Sequence, residues 1–187
     1  MGKKSKIFID ANTLLLDSFT LARQIYESGY RPDFFIGIWR GGTPPGIAIH
    51  EFFVFKGSRP TSHTAIKVES YYGIEQSKEA IVDGLEKVTP KLNPGDKLLI
   101  VDDIFDTGRS IRAVKNVLAE TVTFPIQVRV ATVYYRPDKN ITDFAPDYFL
   151  KKVYQWVVFP HELEGLSQED LKQKGLELFE ILSGSKE

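Results

Sequence analysis

Leu99-Ile100-Val101-Asp102-Asp103-Ile104-Phe105-Asp106-Thr107-Gly108-Arg109-Ser110 is the stretch on which the reading of this 187-residue chain turns. Lys97 to Val101 is a largely aliphatic, β-branched run, the composition of a strand buried on both faces. Behind it, Ser110 to Glu120 places Ile111, Val114, Val117 and Leu118 on one helical face. Neighbouring side chains on a strand point to opposite faces, so two consecutive carboxylates rarely lie inside one. Asp102 and Asp103 are therefore expected to mark the point where the chain leaves the sheet.

Adjacent carboxylates repel, and something cationic or hydrogen-bonding must compensate them. The paired hydroxyls of a ribose, or a hydrated Mg²⁺, would serve. Asp106 follows three residues later, and Thr107-Gly108-Arg109-Ser110 then enters the helix. Helix N-termini present unpaired N–H groups and a partial positive charge, which makes an anion site. Thr107 and Ser110 add hydroxyls, and Gly108 allows close backbone approach. Acceptors for sugar hydroxyls beside a phosphate cradle suit a ribose 5-phosphate. A lone Asp-Thr-Gly would imply only a helix cap beside a solvated acid pair. The whole string, framed by strand and amphipathic helix, argues for binding.

Working outward, Asn12 to about Ser28 repeats Leu15, Phe19, Ala22 and Tyr26 at helical spacing, with Gly29 as a stop. Phe34 to Ile38 is a short buried strand running into Arg40-Gly41-Gly42, and a helix is expected from Pro44 to about Phe55, where proline suits the first turn. His63 to Val68 is strand-like and leads into Glu69-Ser70-Tyr71. Residues 73–90 are polar and indistinct, a long loop with room for one hairpin. Asn93-Pro94-Gly95-Asp96 is a turn. Ile126 to Tyr135 is a further strand, with shorter ones at Tyr148–Leu150 and Trp156–Val158. Ser167-Gln168-Glu169-Asp170 opens a final helix to about Leu182. Alternating strands and helices imply a largely parallel sheet covered on both faces, with ligands at the carboxyl ends of its strands. Arg40-Gly41-Gly42 and Asp102 to Ser110 should open on that edge.

Composition narrows the chemistry. Lys plus Arg (24) nearly balances Asp plus Glu (25), so no global field draws nucleic acid or acidic membranes. There is no cysteine, which excludes disulfides, thiolate metal sites and cysteine nucleophiles. His50, His63 and His161 are scattered without metal-ligand spacing. No apolar run approaches the ~20 residues that span a bilayer, and no signal-peptide core follows the basic N-terminus. A cytoplasmic protein is the expectation, without nucleic-acid or membrane partners.

At nearly every position the 99–110 string resembles the signature loop of type I phosphoribosyltransferases. Receiver domains also carry acidic pairs beside strands, but do not continue into Asp-Thr-Gly-Arg-Ser. Ile38-Trp39-Arg40-Gly41-Gly42-Thr43-Pro44-Pro45-Gly46 resembles the family's pyrophosphate loop, where a non-proline cis bond often aims N–H groups at pyrophosphate. Glu69-Ser70-Tyr71 falls where purine members carry a Ser-Tyr pair on a closing loop. Trp156-Val157-Val158-Phe159-Pro160-His161-Glu162 resembles the base-binding segment of bacterial and archaeal xanthine–guanine-type enzymes. Those enzymes place a lysine before a proline to contact the 6-oxo oxygen; Tyr135-Arg136-Pro137 puts Arg136 there instead. The resemblance runs from about Asn12 to Glu162.

The resemblance implies an α/β type I phosphoribosyltransferase fold: a mostly parallel central sheet flanked by helices, with a small base-binding hood. It implies one domain over residues 1–187, the hood drawn from the 136–165 region with the N-terminus as a further contributor, and an extra helix over about 167–182. It implies transfer of the phosphoribosyl group of phosphoribosyl pyrophosphate to a nucleobase, giving a nucleoside monophosphate in purine salvage, with Mg²⁺ as cofactor and a homodimer or larger homo-oligomer as the assembly. Asp102 and Asp103 would hold ribose hydroxyls and metal, with Glu162 assisting the metal. Asp106 would be the general base. Thr107, Gly108, Arg109 and Ser110 would grip the 5-phosphate, and Arg40, Gly41 and Gly42 the pyrophosphate. Ser70 and Tyr71 would close over the centre, Arg136 would meet a 6-oxo group, Trp156 would stack on the base and the Val157 carbonyl would read its 2-position. Two alternatives stay open: a pyrimidine or orotate phosphoribosyltransferase, and a non-catalytic phosphoribosyl pyrophosphate or nucleotide sensor.

Overall fold

The computed structural model describes residues 5–69 and 80–184, which form two compact units. The larger, residues 15–154, is built on a six-stranded sheet. In chain order its strands are β2 (Phe34–Trp39), β3 (Ser62–Glu69), β4 (Ile81–Asp83), β5 (Lys97–Phe105), β6 (Gln127–Tyr135) and β7 (Tyr148–Lys152), after β1 (Lys6–Phe8) in the smaller unit. Across the sheet they run β4-β3-β2-β5-β6-β7, and only the β3–β4 pair is antiparallel. Helices α1 (Ala11–Glu27), α2 (Thr43–Phe55) and α3 (Arg109–Thr121) connect or flank these strands. Among the described residues, no helix is long and apolar enough to cross a membrane.

The sheet is buried because its central strands are apolar on both sides. Leu98, Leu99, Ile100 and Val101 are all fully buried on β5. α3 lays Ile111, Val114 and Leu118 on one side, packed with Phe34, Ile36 and Ile100. Those helical positions recur at i, i+3 and i+7, the stripe that faces a core. α1 is tied to the sheet by Asp17, which accepts from Lys151 Nζ at 2.7 Å and from the Tyr134 hydroxyl at 2.8 Å.

The strand order reverses between β2 and β5, the place where parallel sheets open a crevice. Phe34 to Gly37 pair with Leu98 to Val101, and the β2–β5 ladder ends there. β2 goes on to Trp39 beside β3 alone, and the Trp39–Arg40 peptide is cis. Here the expected exit from the sheet needs correcting. Asp102 and Asp103 do not leave it: β5 runs on to Phe105, with Asp102 opposite Thr132 and Phe105 opposite Tyr135. The partner strand β6 keeps the ladder going on one side after β2 has departed on the other.

Two glycines seat the Arg40–Gly42 loop in the gap. A Cβ on Gly42 would fall 2.7 Å from Ile38 N and 2.8 Å from Ile38 O, and closer still to the Val101 carbonyl. A Cβ on Gly41 would overlap the Asp103 carboxylate.

The smaller unit, residues 1–14 with 155–187, pairs β1 in parallel with β8 (Trp156–Val158), Lys6 opposite Trp156 and Phe8 opposite Val158. A three-residue strand at Lys6 carries too little periodicity to be foreseen, and its partner is remote in sequence. The expected hood span is divided: residues 136–154 belong to the larger unit and 155–165 to the smaller. The final helix is not continuous. Gly175, with φ at +152°, separates α4 (Gln168–Lys174) from α5 (Leu176–Ser183). Ser167 and Asp170 do form the capping box at the start of α4. Lys6, and then the Ser167 hydrogen bonds, draw the Asp170 carboxyl down to about 2.

The packing around Gly42 gives a direct test. Gly42→Ala should destabilise the protein by roughly 1–3 kcal/mol, because the new methyl meets backbone that cannot swing aside. A urea midpoint unchanged from wild type would mean that the loop can back away from β5.

Candidate active site

The site residues of the larger unit come from three strand ends. β2 delivers Arg40, Gly41 and Gly42; β5 delivers Asp102, Asp103, Asp106 and the Thr107–Ser110 turn; β6 delivers Arg136. Because β2, β5 and β6 are parallel neighbours, these segments share the carboxyl edge of the sheet.

The Arg40–Gly42 loop folds back on itself. The Gly42 amide donates to the Ile38 carbonyl at 2.8 Å, and the Thr43 hydroxyl donates to the Arg40 carbonyl at 2.7 Å. α2 starts at Thr43, with Pro44 and Pro45 in its first turn. Pro44 and Pro45 carry no N–H, and the Thr43 and Gly46 amides already donate to the Arg40 and Gly42 carbonyls, so donors to an anion on this side come from the loop and not from the first turn of α2. α3, which starts after Gly108 at φ +78°, has no proline in its first turn, and first-turn amides of that kind suit an anion. Gly108 is fixed twice over: a side chain there would be strained by the backbone, and its Cβ would lie 2.6 Å from the Phe105 ring and from Thr142. The Thr107 hydroxyl accepts weakly from the Arg109 amide at 3.4 Å.

Asp102 and Asp103 diverge from successive positions of β5, and Asp103 is only 6% exposed. The Asp103 amide donates to Asp102 Oδ1 at 3.0 Å. Burial, and next the charge of Asp103, push the Asp102 carboxyl well above its ordinary range. Such a pair suits a hard divalent cation or the hydroxyls of a sugar. Among the described residues no group of three or more carboxylate or imidazole side chains converges as a metal cage. A metal here would take part of its coordination from substrate and water, as Mg²⁺ commonly does.

Asp106 and Arg136 meet across the end of the β5–β6 pair. Arg136 Nη1 lies 3.3 Å from Asp106 Oδ1, and the Arg136 amide donates to the Phe105 carbonyl at 2.9 Å. Arg136 is buried, at 7% exposure. The ion contact is not aligned as a hydrogen bond, and Asp106 Oδ1 and Arg136 Nε both lack a hydrogen-bond partner. An acceptor held only by this ion contact and a buried donor of the same guanidinium thus lack hydrogen-bond partners.

Trp156, Val157 and Glu162 lie in the smaller unit. Trp156 is 50% exposed, so it is not the core tryptophan that a strand position could equally have meant, while Val157 is buried. Glu162 Oε2 accepts from the Phe159 amide at 3.2 Å, closing a turn after β8. Ser70 and Tyr71 fall outside the described residues. Two histidines that looked scattered in sequence do meet: His50 on α2 and His63 on β3 have ring centroids 4.5 Å apart. They line a cavity of about 410 Å³ with Phe35, Trp39 and Ile47, beside α2.

The family model described as a phosphoribosyl transferase domain matches residues 9–168. An adenine phosphoribosyltransferase of Halothermothrix orenii is 32% identical over 123 residues, 59% of this chain and 68% of that protein. A xanthine-guanine phosphoribosyltransferase of Cereibacter sphaeroides is 25% identical over 134 residues, 68% of each chain. The crystal structure of a purine phosphoribosyltransferase from Pyrococcus horikoshii superposes with a TM-score of 0.65 at 23% identity, covering 87% of this chain and 97% of that one. The chain belongs to the phosphoribosyl transferase family and has the type I fold of that family.

Proposed function

We propose that the protein transfers the phosphoribosyl group of phosphoribosyl pyrophosphate to a purine, with a 6-oxopurine as the base. The observation that carries the choice of base is the unpartnered pair, Asp106 Oδ1 and Arg136 Nε. On the N7 edge of a 6-oxopurine, the 6-oxo group accepts and a protonated N7 donates. Adenine presents an amino donor where the oxo acceptor would be. A guanidinium can only donate, so Arg136 favours the oxo group and would face the amino group of adenine donor to donor. The adenine relative keeps adenine as the second reading.

In this mechanism the base nitrogen forms a bond to C1 of the ribose as the bond from C1 to pyrophosphate breaks. The sugar passes through a cation-like state, so catalysis is largely positioning and electrostatics. Thr107, Gly108, Arg109 and Ser110 hold the 5-phosphate at the start of α3. Arg40, Gly41 and Gly42 hold the departing pyrophosphate. Asp102 and Asp103 bind the ribose hydroxyls and place negative charge near the developing cation. They are also the residues that would hold Mg²⁺, with Glu162 as the further carboxylate proposed to assist; when bound, the ion neutralises pyrophosphate oxygens. Asp106 takes the proton that N7 loses as the new bond forms. Trp156 stacks on the base, and the Val157 carbonyl contacts its 2-position.

A screen of hypoxanthine, guanine, xanthine, adenine, uracil and orotate with phosphoribosyl pyrophosphate and Mg²⁺, read as pyrophosphate release, tests the reading directly. Turnover should be highest with a 6-oxopurine. Preference for adenine would overturn the role of Arg136, and tight binding without release for any base would favour a sensor.

Asp106→Asn should lower kcat by about 10²–10⁴-fold while nucleotide still binds, the range expected for loss of a general base. Normal turnover would end that assignment. Arg136→Met should lower kcat/KM for the 6-oxopurine by about 10–100-fold, since a charge-assisted hydrogen bond contributes about 1.5–3 kcal/mol. Discrimination against adenine should narrow in the same variant; unchanged discrimination would show that Arg136 does not read the base.

A further inference from the structure

α4 lies beyond the stretch that resembles the family signature motifs, yet it is tied to both strands of the small sheet. Near its start Asp170 accepts from Lys6 Nζ on β1 at 2.7 Å. At its end Lys174 Nζ donates to the carbonyls of Phe159 at 2.6 Å, Pro160 at 3.1 Å and Glu162, all in the turn that leaves β8. A lysine closing a helix usually reaches the last carbonyls of its own helix or points to water. Lys172, two residues earlier, is exposed, whereas Lys174 is half-buried. Gly175 ends the helix immediately afterwards.

The turn that Lys174 enters has further closures. The Glu162 amide donates to the Phe159 carbonyl at 3.1 Å, Glu162 Oε2 receives the Phe159 amide, and the Phe159 and His161 rings stack with centroids 5.5 Å apart. The strand before it is short. β8 has three residues, paired only with the three of β1. A two-stranded ribbon of that length is not stable by itself in water, so its exposed Trp156 depends on what anchors the ends. One ammonium with three carbonyl acceptors is such an anchor.

We infer that Lys174 is a positioning residue for base recognition, fixing the Phe159–Glu162 turn and through it Trp156 and Val157. The functional half of this inference rests on the proposed role of Trp156 and Val157 in binding the base; the structural half does not.

The test uses the full chain with Lys174→Met, Lys174→Arg and Ser167→Ala, the last weakening the start of α4 while keeping the ammonium. Two readouts are taken: backbone hydrogen exchange of residues 156–162 by mass spectrometry, and KM for base and for phosphoribosyl pyrophosphate. Lys174→Met should speed exchange in that segment and raise KM for the base about tenfold, with KM for phosphoribosyl pyrophosphate within about twofold of wild type. Lys174→Arg should recover most of both effects, and Ser167→Ala should produce neither in full. Unchanged exchange in Lys174→Met overturns the anchor. Full reproduction of both effects by Ser167→Ala also overturns it, because helix stability rather than the ammonium would then be responsible. Faster exchange with an unchanged base KM leaves the anchor standing and overturns its role in base recognition. A Lys174→Met protein that does not fold is replaced in both measurements by Lys174→Gln, for which the same outcomes support or overturn the anchor. Absence of transfer to every base in the wild type would defeat the proposed function, while the exchange comparison would still decide the anchor.

Discussion

The arrangement of this site depends on one steric fact: the backbone of Gly42 rests against the carbonyl of Val101, with no room between them for a methyl group. The contact lies where β2 and β5 stop pairing, and it lets the Arg40–Gly42 loop occupy the gap that the reversal of strand order opens. Gly41 then comes against the Asp103 carboxylate. A loop suited to an anion and an acid pair suited to a sugar or a cation are thus brought together by backbone packing. No flexible side chain is needed to span the distance, so the donors stay aimed without losing rotamer freedom on binding.

The same edge sets two carboxyl groups at successive positions of β5. Burial and the proximity of Asp103 raise the proton affinity of Asp102. A cation or the hydroxyls of a sugar would relieve that cost, so ligand binding and charge compensation become one event. Asp106 is treated differently. It has a guanidinium 3.3 Å away, close enough to attract it and not aligned well enough to saturate it. The three acids lie within five residues of sequence, but Asp102 and Asp103 neighbour each other on β5 while Asp106 stands beside a guanidinium.

How much of this could be read from the sequence depends on range. Helices α1, α2 and α3 and strands β2, β5 and β6 were legible because apolar periodicity is local and strong. The end of β5 was not. Two adjacent carboxylates argue against a strand, and only pairing with β6 through Tyr135 overrides that argument. The break at Gly175 was missed because the Ser167 capping box gave a clear start and the apolar spacing continued beyond the glycine. β1 was missed because three residues carry no period and their partner lies about 150 positions away. Among site residues, Arg40 to Gly42 and Asp102 to Ser110 were legible as motifs. The meeting of Arg136 with Asp106 was not, since no spacing rule joins residues 106 and 136; it follows from β5 and β6 ending at the same level.

That last contact bears on why an arginine can stand where the resemblance leads one to expect a lysine. A lysine ammonium is a compact point charge on a flexible stem, and the direction of its donors is not fixed by the side chain itself. The guanidinium is planar and its donors point outward in a fixed fork. With Nη1 directed at Asp106, Nε is left on another edge of the same plane without an acceptor. The geometry leaves one buried donor without an acceptor while another nitrogen of the same group sits beside the acid. An arginine at this position can therefore neutralise its neighbour and still aim a second donor in a direction fixed by the plane of the guanidinium, whereas the donors of a lysine take their directions from whichever acceptors surround them.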